Sequence, residues 1–261
     1  MSDDASVPPS DQLLAEQVAY YRARAPIYDD WWERKGTYRL EAAIAAAWDV
    51  DRREWDRRVA AWLEHERPAH VLEIAGGTGN LTRLIAPHVE SMTVIDSSPE
   101  VLEINRRKLG PLADRVTYVV TDVFTWAPTT TFDAAAMGFW VSHVPADRWT
   151  EFWQMVRAAV SPSGSVWIGD NAEPERGWEA GYVPRPADPE RLTTDGTIDM
   201  RTHVHERSLP DGRTYDIVKR FHSPADLVTD LAGVGFDAQA ANTDWAFITA
   251  VARPSTDPTR R

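Results

Sequence analysis

The sequence predicts an α/β fold: a doubly wound parallel sheet beneath an N-terminal helical cap. Three observations carry that prediction. Apolar runs of strand length alternate with helical stretches from residue 66 to 254, the first run ends in a Gly-rich turn, and carboxylates follow the second and third runs. Residues 1–65 read as a tail and helical lid. Residues 66–254 read as the core, with a polar insertion at about 171–222 that holds Gly181, Pro184, Pro186 and Pro189.

Residues 1–10, with Pro8 and Pro9, read as a tail, as do Pro254–Arg261. Residues 11–65 read as helices rich in Ala, Arg and Trp. Within 20–32 the rings of Tyr20, Tyr21, Tyr28, Trp31 and Trp32 surround Pro26, which should break or bend a helix. Val71, Leu72 and Ile74 then suit a strand covered on both faces. Gly76, Gly77 and Gly79 follow, permitting backbone angles and a close ligand approach that a side chain would block. Asn80 is placed to cap the next helix.

Residues 92–96 read as a second strand ending in Asp96, about 20 residues after the Gly turn, where a carboxylate can accept both hydroxyls of a ribose. Residues 116–121 read as a third strand, followed by Asp122, Val123 and Phe124. A fourth covers 132–139, and 163–170 contain a fifth. Between them Trp149, Trp153 and Val156 recur at helical spacing, a core signal. Residues 201–209 and 213–221 flank a Pro210-Asp211-Gly212 turn and read as a hairpin. Ser223-Pro224 opens a helix with Leu227 and Leu231, and 245–251 read as the last strand.

Composition sets limits. At 261 residues and 43% hydrophobic, one elaborated domain is expected. A net charge of -12 argues against nucleic acid as a partner. With no Cys, and His203 and His205 lacking a third ligand, no metal is expected. There is neither a signal-peptide pattern nor an apolar run long enough for a bilayer, so no membrane partner and a cytoplasmic location are expected.

The stretch Glu73-Ile74-Ala75-Gly76-Gly77-Thr78-Gly79 resembles motif I of the class I S-adenosylmethionine-dependent methyltransferases, Asp/Glu-x-Gly-x-Gly-x-Gly, with Ala75 for the first Gly. A dinucleotide fingerprint would need a third Gly where Thr82 stands. The resemblance spans roughly 20–250 and implies a seven-stranded, Rossmann-like sheet with S-adenosyl-L-methionine as cofactor. It places Glu73, Ala75, Gly76, Gly77 and Gly79 at the methionine part, Asp96 at the ribose, and Asp122, Val123 and Phe124 at the adenine, with Ser97 and Phe139 also against the cofactor.

Residues 20–32 are similar to the N-terminal lid of menaquinone-type enzymes. That implies Tyr21 and Tyr28 at the methionine carboxylate or sulfonium, where a ring face attracts the cation. His143, just beyond the fourth strand, is the candidate catalytic base for a small organic methyl acceptor. Two other readings stay open: a non-catalytic cofactor-binding partner protein, and a protein methyltransferase.

Overall fold

Strands covered on both faces form the centre of the molecule. The computed structural model describes residues 10–172 and 204–256. β1 (His70–Ile74) lies between β2 (Ser91–Asp96) and β4 (Phe132–Gly138), β3 (Val116–Val120) lies outside β2, and β5 (Val160–Asn171) lies outside β4; all of these pair in parallel. β9 (Phe247–Pro254) joins β5 antiparallel, and β8 (Phe236–Asn242) pairs antiparallel with β9. The sheet therefore has seven strands in the order β3-β2-β1-β4-β5-β9-β8. The chain winds out from β1 to β3 and returns to β4 beside β1. That reversal leaves a crevice past the carboxyl ends of β1 and β4, where open α/β sheets bind ligands.

Period-two alternation divides the core. Val71 packs in the layer of α3 (Ala42–Glu66), while Leu72 and Ile74 pack in the layer of α6 (Trp149–Ala159) and α7 (Pro224–Ala232). α3 buries Trp48, Trp55 and Trp62, whose spacing puts them on one helix face. Trp55 stacks on Phe139 at 4.8 Å with the planes 2° apart and meets Trp167 edge-on at 4.9 Å. Gly169 permits this: a Cβ there would come within 2.3 Å of the Trp55 ring. α5 (Pro99–Leu109) and α7 begin with Pro after a Ser cap, Ser98 and Ser223 accepting from the N–H groups of Val101 and Asp226.

The cap is α1 (Ser10–Arg24), a 3-10 turn over Ala25–Ile27 at Pro26, and α2 (Tyr28–Trp32), followed by α3. β6 (Val204–Ser208) and β7 (Thr214–Val218) form the expected hairpin as a separate two-stranded sheet. It packs on α1 through Tyr20, Leu209 and Ile217. No helix among the described residues is long and apolar enough to cross a membrane.

The structure corrects several local expectations. Asn80 does not cap α4 (Thr82–Ile85), which starts after Leu81 with no side-chain cap; the Asn80 amide is engaged by Asp29 and Lys108 instead. Ser10 already belongs to α1, held by its hydroxyl on Asp147, and Pro254 still belongs to β9, paired with Phe236. The last two sheet strands run antiparallel rather than parallel. β8 was not anticipated, because its Phe-Asp-Ala-Gln-Ala-Ala-Asn sequence has no β-branched residue, and pairing with β9 supplies what propensity does not. His203 and most of the polar insertion lie outside the described residues.

Candidate functional site

The turn after β1 is shaped by what surrounds it. A Cβ on Gly76 would lie 2.3 Å from Val94, and one on Gly79 (φ +87) 2.7 Å from Asn105, so both positions need glycine for space. Gly77 has φ +52, and its N–H donates to Asp96 Oδ2 at 3.0 Å. Ala75 adopts φ +52, a left-handed conformation that costs a side-chain-bearing residue about 1 kcal/mol. Asp96 Oδ1 accepts from the Ser98 N–H at 2.9 Å, and burial raises the pKa of this carboxyl above its ordinary value.

Glu73 lies below the turn, buried. With Gly76 it lines a small cavity of about 40 Å³, and its Oε2 has no hydrogen-bond partner. Burial pushes this carboxyl up to about 8, against the opposing hydrogen bonds from Thr82.

A cleft of about 630 Å³ opens past the carboxyl ends of the parallel strands. Ala75, Gly77, Asp96 and Ser97 line it from the β1 and β2 ends, Asp122, Val123 and Phe124 from the segment after β3, and Phe139 and His143 from beyond β4. Tyr21 and Tyr28 reach it from the cap, and Leu14, Gln17 and Val18 extend the α1 wall. Of the residues singled out in the sequence, Glu73, Gly76 and Gly79 do not line this cleft; they support its turn from beneath. Asp122 Oδ1 accepts from the Phe124 N–H at 2.9 Å, which turns the chain there. The donor set suits an adenosyl cofactor: carboxylates where hydroxyls and an amine need acceptors, and glycines where backbone must come close.

The cap is tied to the turn by Asp29. Its Oδ1 accepts from Thr78 Oγ1 at 2.7 Å and Asn80 Nδ2 at 3.1 Å, and its Oδ2 meets Lys108 Nζ at 2.8 Å. Burial raises the Asp29 pKa, but hydrogen bonds from Lys108, Thr78 and Asn80 outweigh it and hold the carboxyl below its ordinary value.

His143 is buried. Its Nδ1 lies 2.5 Å from the Val218 carbonyl oxygen and must carry the proton, so Nε2 accepts from the Tyr21 hydroxyl at 2.8 Å. Burial, aided by the charge of Lys219, pushes the imidazole down to about 3. Gln17 pins the same loop, its Nε2 donating to the His143 carbonyl at 3.3 Å while its Oε1 accepts from the Val218 N–H at 3.1 Å. Beside them Asp170 accepts from the Ser142 N–H and hydroxyl at 3.0 and 2.9 Å and pairs with Lys219 at 3.2 Å. Burial raises the Asp170 pKa, but the Lys219 ammonium together with the Ser142 and Asn171 N–H groups outweighs it and lowers the pKa overall.

Sequence reasoning missed Gln17, Arg24, Asp29, Asp170 and Lys219. Gln17, Asp29, Asp170 and Lys219 take partners from distant elements, and Arg24 is enclosed by the rings of Tyr20, Tyr28 and Tyr38, so no local motif marks any of them.

The comparisons agree with this geometry. A family model described as a methyltransferase domain matches residues 71–164. Two solved structures of DhpI, one with SAH and one with SAM and HEP, are 29% and 31% identical, cover 95% of this chain and 100% of theirs, and have TM-scores of 0.71 and 0.68. The demethylmenaquinone methyltransferase of Thermotoga maritima is 36% identical over 87 residues, 29% of this chain and 38% of that protein. The chain thus spans about two fifths of the length of this curated relative. With the Gly turn seated on Asp96, the cleft at the sheet's reversal point and full-length likeness to DhpI, the chain belongs to the class I S-adenosylmethionine-dependent methyltransferases.

Proposed function

We propose that this chain methylates a small organic molecule. The observation that carries this reading is the α1 wall: Leu14, Gln17, Val18 and Tyr21 flank the cleft, and Gln17 fastens the helix to both His143 and β7. A helix anchored there favours a compact methyl acceptor over a polymer, which would need an extended groove.

In this reading Ala75, Gly77 and Thr78 face the methionine end of the cofactor from a turn supported by Glu73, Gly76 and Gly79, Asp96 serves the ribose with Ser97 beside it, and Asp122, Val123 and Phe124 serve the adenine. S-adenosylmethionine supplies an electrophilic methyl group on a sulfonium. The chain's contribution is to hold the methyl acceptor in line with that group and to exclude water, and orientation alone supplies much of a rate enhancement. Tyr21 and Tyr28 present aromatic surface that tolerates a cation. His143 fixes the Tyr21 hydroxyl at the edge of the cleft.

The test is mass spectrometry of products after incubation with methyl-labelled cofactor and a panel of phenols, amines, carboxylates and enols. A labelled small-molecule product is expected. Cofactor binding without turnover on any member would favour the non-catalytic partner protein, and label appearing only on added proteins would favour a protein methyltransferase.

A further inference from the structure

A smaller cavity of about 60 Å³ adjoins the cleft and shares Tyr21, Tyr28, Phe139 and His143 with it. Its chemistry is different. Arg24, Arg207 and Lys219 all line it, and among the described residues no carboxylate does.

The Lys219 charge is compensated by Asp170, with further hydrogen bonds to Ser142 Oγ and Asn171 Oδ1 at 2.8 Å each. Arg24 has no such partner. It is buried at the end of α1, forms no ion pair among the described residues, and its Nε has no hydrogen-bond partner. The rings of Tyr20, Tyr28 and Tyr38 surround its guanidinium, with centroids 5.6, 5.0 and 5.6 Å away. Aromatic faces offset part of the cost of burying a cation, but they do not satisfy its N–H donors. Asn171 Nδ2, in a residue on the same cavity wall, is also a buried donor without a partner.

We propose that this cavity is the recognition subsite for an oxyanion borne by the methyl acceptor, a carboxylate or phosphoryl group, with Arg24 as its charge partner. The inference rests on the methyl-transfer reading and names the substrate class for it. A planar guanidinium matches either oxyanion through paired N–H donors. The volume suits a group of a few heavy atoms, so the rest of the methyl acceptor extends past Tyr21 and Tyr28 into the cleft. A neutral analogue would leave Arg24 buried and unpaired, which turns the subsite into a discriminator as well as an anchor.

The test uses the full chain, ¹⁵N-labelled, titrated with benzoate, inorganic phosphate and benzamide while the Arg24 Nε–H signal is followed by NMR. The titrations are run with and without S-adenosylhomocysteine, whose own binding is measured by calorimetry. Benzoate or phosphate is expected to shift that signal and to bind at least about tenfold more tightly than benzamide. A folded Arg24→Gln variant should lose that preference, and Arg24→Lys should keep part of it. A response to phosphate alone would assign a phosphoryl group, and a response to benzoate alone a carboxylate. Equal binding of all three probes, or oxyanion binding that leaves the Arg24 signal unmoved in the wild type, would overturn the subsite whatever the variants do. Binding of S-adenosylhomocysteine without oxyanion preference would sink the subsite and leave the methyl-transfer reading standing. Oxyanion preference in a chain that does not bind S-adenosylhomocysteine would do the reverse.

Discussion

Tyr21 on α1 and His143 beyond β4 stand 122 positions apart in sequence, yet the hydroxyl of one lies 2.8 Å from Nε2 of the other. With Nδ1–H committed to the Val218 carbonyl, both ring nitrogens are engaged. For His143 to take a proton directly from a methyl acceptor, Nε2 would first have to release Tyr21.

His143 should therefore stay neutral far below the usual imidazole range. Its folded pKa of about 3 lies below the unfolded value of about 6.5, so between those values the unfolded chain binds more protons. Its contribution to stability is complete above pH 6.5 and is lost as pH falls towards 3. Thermal unfolding across that window should show a steeper acid loss for wild type than for His143→Asn. With a methyl acceptor in hand, His143→Ala should lower turnover by at least about tenfold and leave cofactor affinity nearly intact. Full turnover in a folded His143→Ala variant would reduce the residue to a structural anchor.

Asp96 receives the Gly77 N–H on one oxygen and the Ser98 N–H on the other, which aims the carboxylate at the cleft. Asp96→Ala should weaken binding of S-adenosylmethionine by about 1.5–3 kcal/mol in calorimetric titration. Unchanged binding would place the ribose elsewhere.

Asp29 anchors the cap to the Gly turn through Thr78 and Asn80 and to α5 through Lys108. Hydrogen exchange in 20–32 should slow when the cofactor binds, and Asp29→Ala should speed exchange there in the free protein. Identical exchange in wild type and variant would mean that the cap is held by aromatic packing alone.

Glu73 offers a second titration with the opposite sign. Its folded pKa of about 8 lies above the ordinary 4.5, so the folded chain binds more protons between those values, and stability falls as pH rises through the window. Glu73→Gln, which keeps the neutral shape, should flatten that dependence and gain on wild type at pH 8 by a few kcal/mol at most. Parallel stability curves from pH 4.5 to 8 would show that Glu73 ionises freely in the folded chain.

Local steric demands were legible in the sequence. The left-handed angles of Gly77 and Gly79 could be read because a backbone angle is a local property, whereas the close approach of Val94 to Gly76 and of Asn105 to Gly79 came from packing. Asp96 and Asp122 could be read because alternating strands and helices bring successive strand ends to one edge of the sheet. The central strand β1 announced itself as an apolar run, since a strand covered on both faces must be apolar on both, whereas the edge strand β3, with Val120 exposed, was legible through its β-branched residues. β8, with its Ala-rich sequence, became a strand only because β9 offered an open edge.

The polar network around the cleft was decided by tertiary structure. Asp29 and Gln17 sit on helices whose sequence says nothing of the loops they meet, Arg24 is enclosed by the rings of Tyr20, Tyr28 and Tyr38, and Lys219 reaches Asp170 from the segment after β7. A buried charge or amide takes its role from whichever partner long-range packing brings within hydrogen-bond distance, and such partners leave no spacing to read. His143 marks the boundary: its place beyond β4 followed from the sequence, but its protonation depended on burial, Tyr21 and Val218, which only the folded chain brings together.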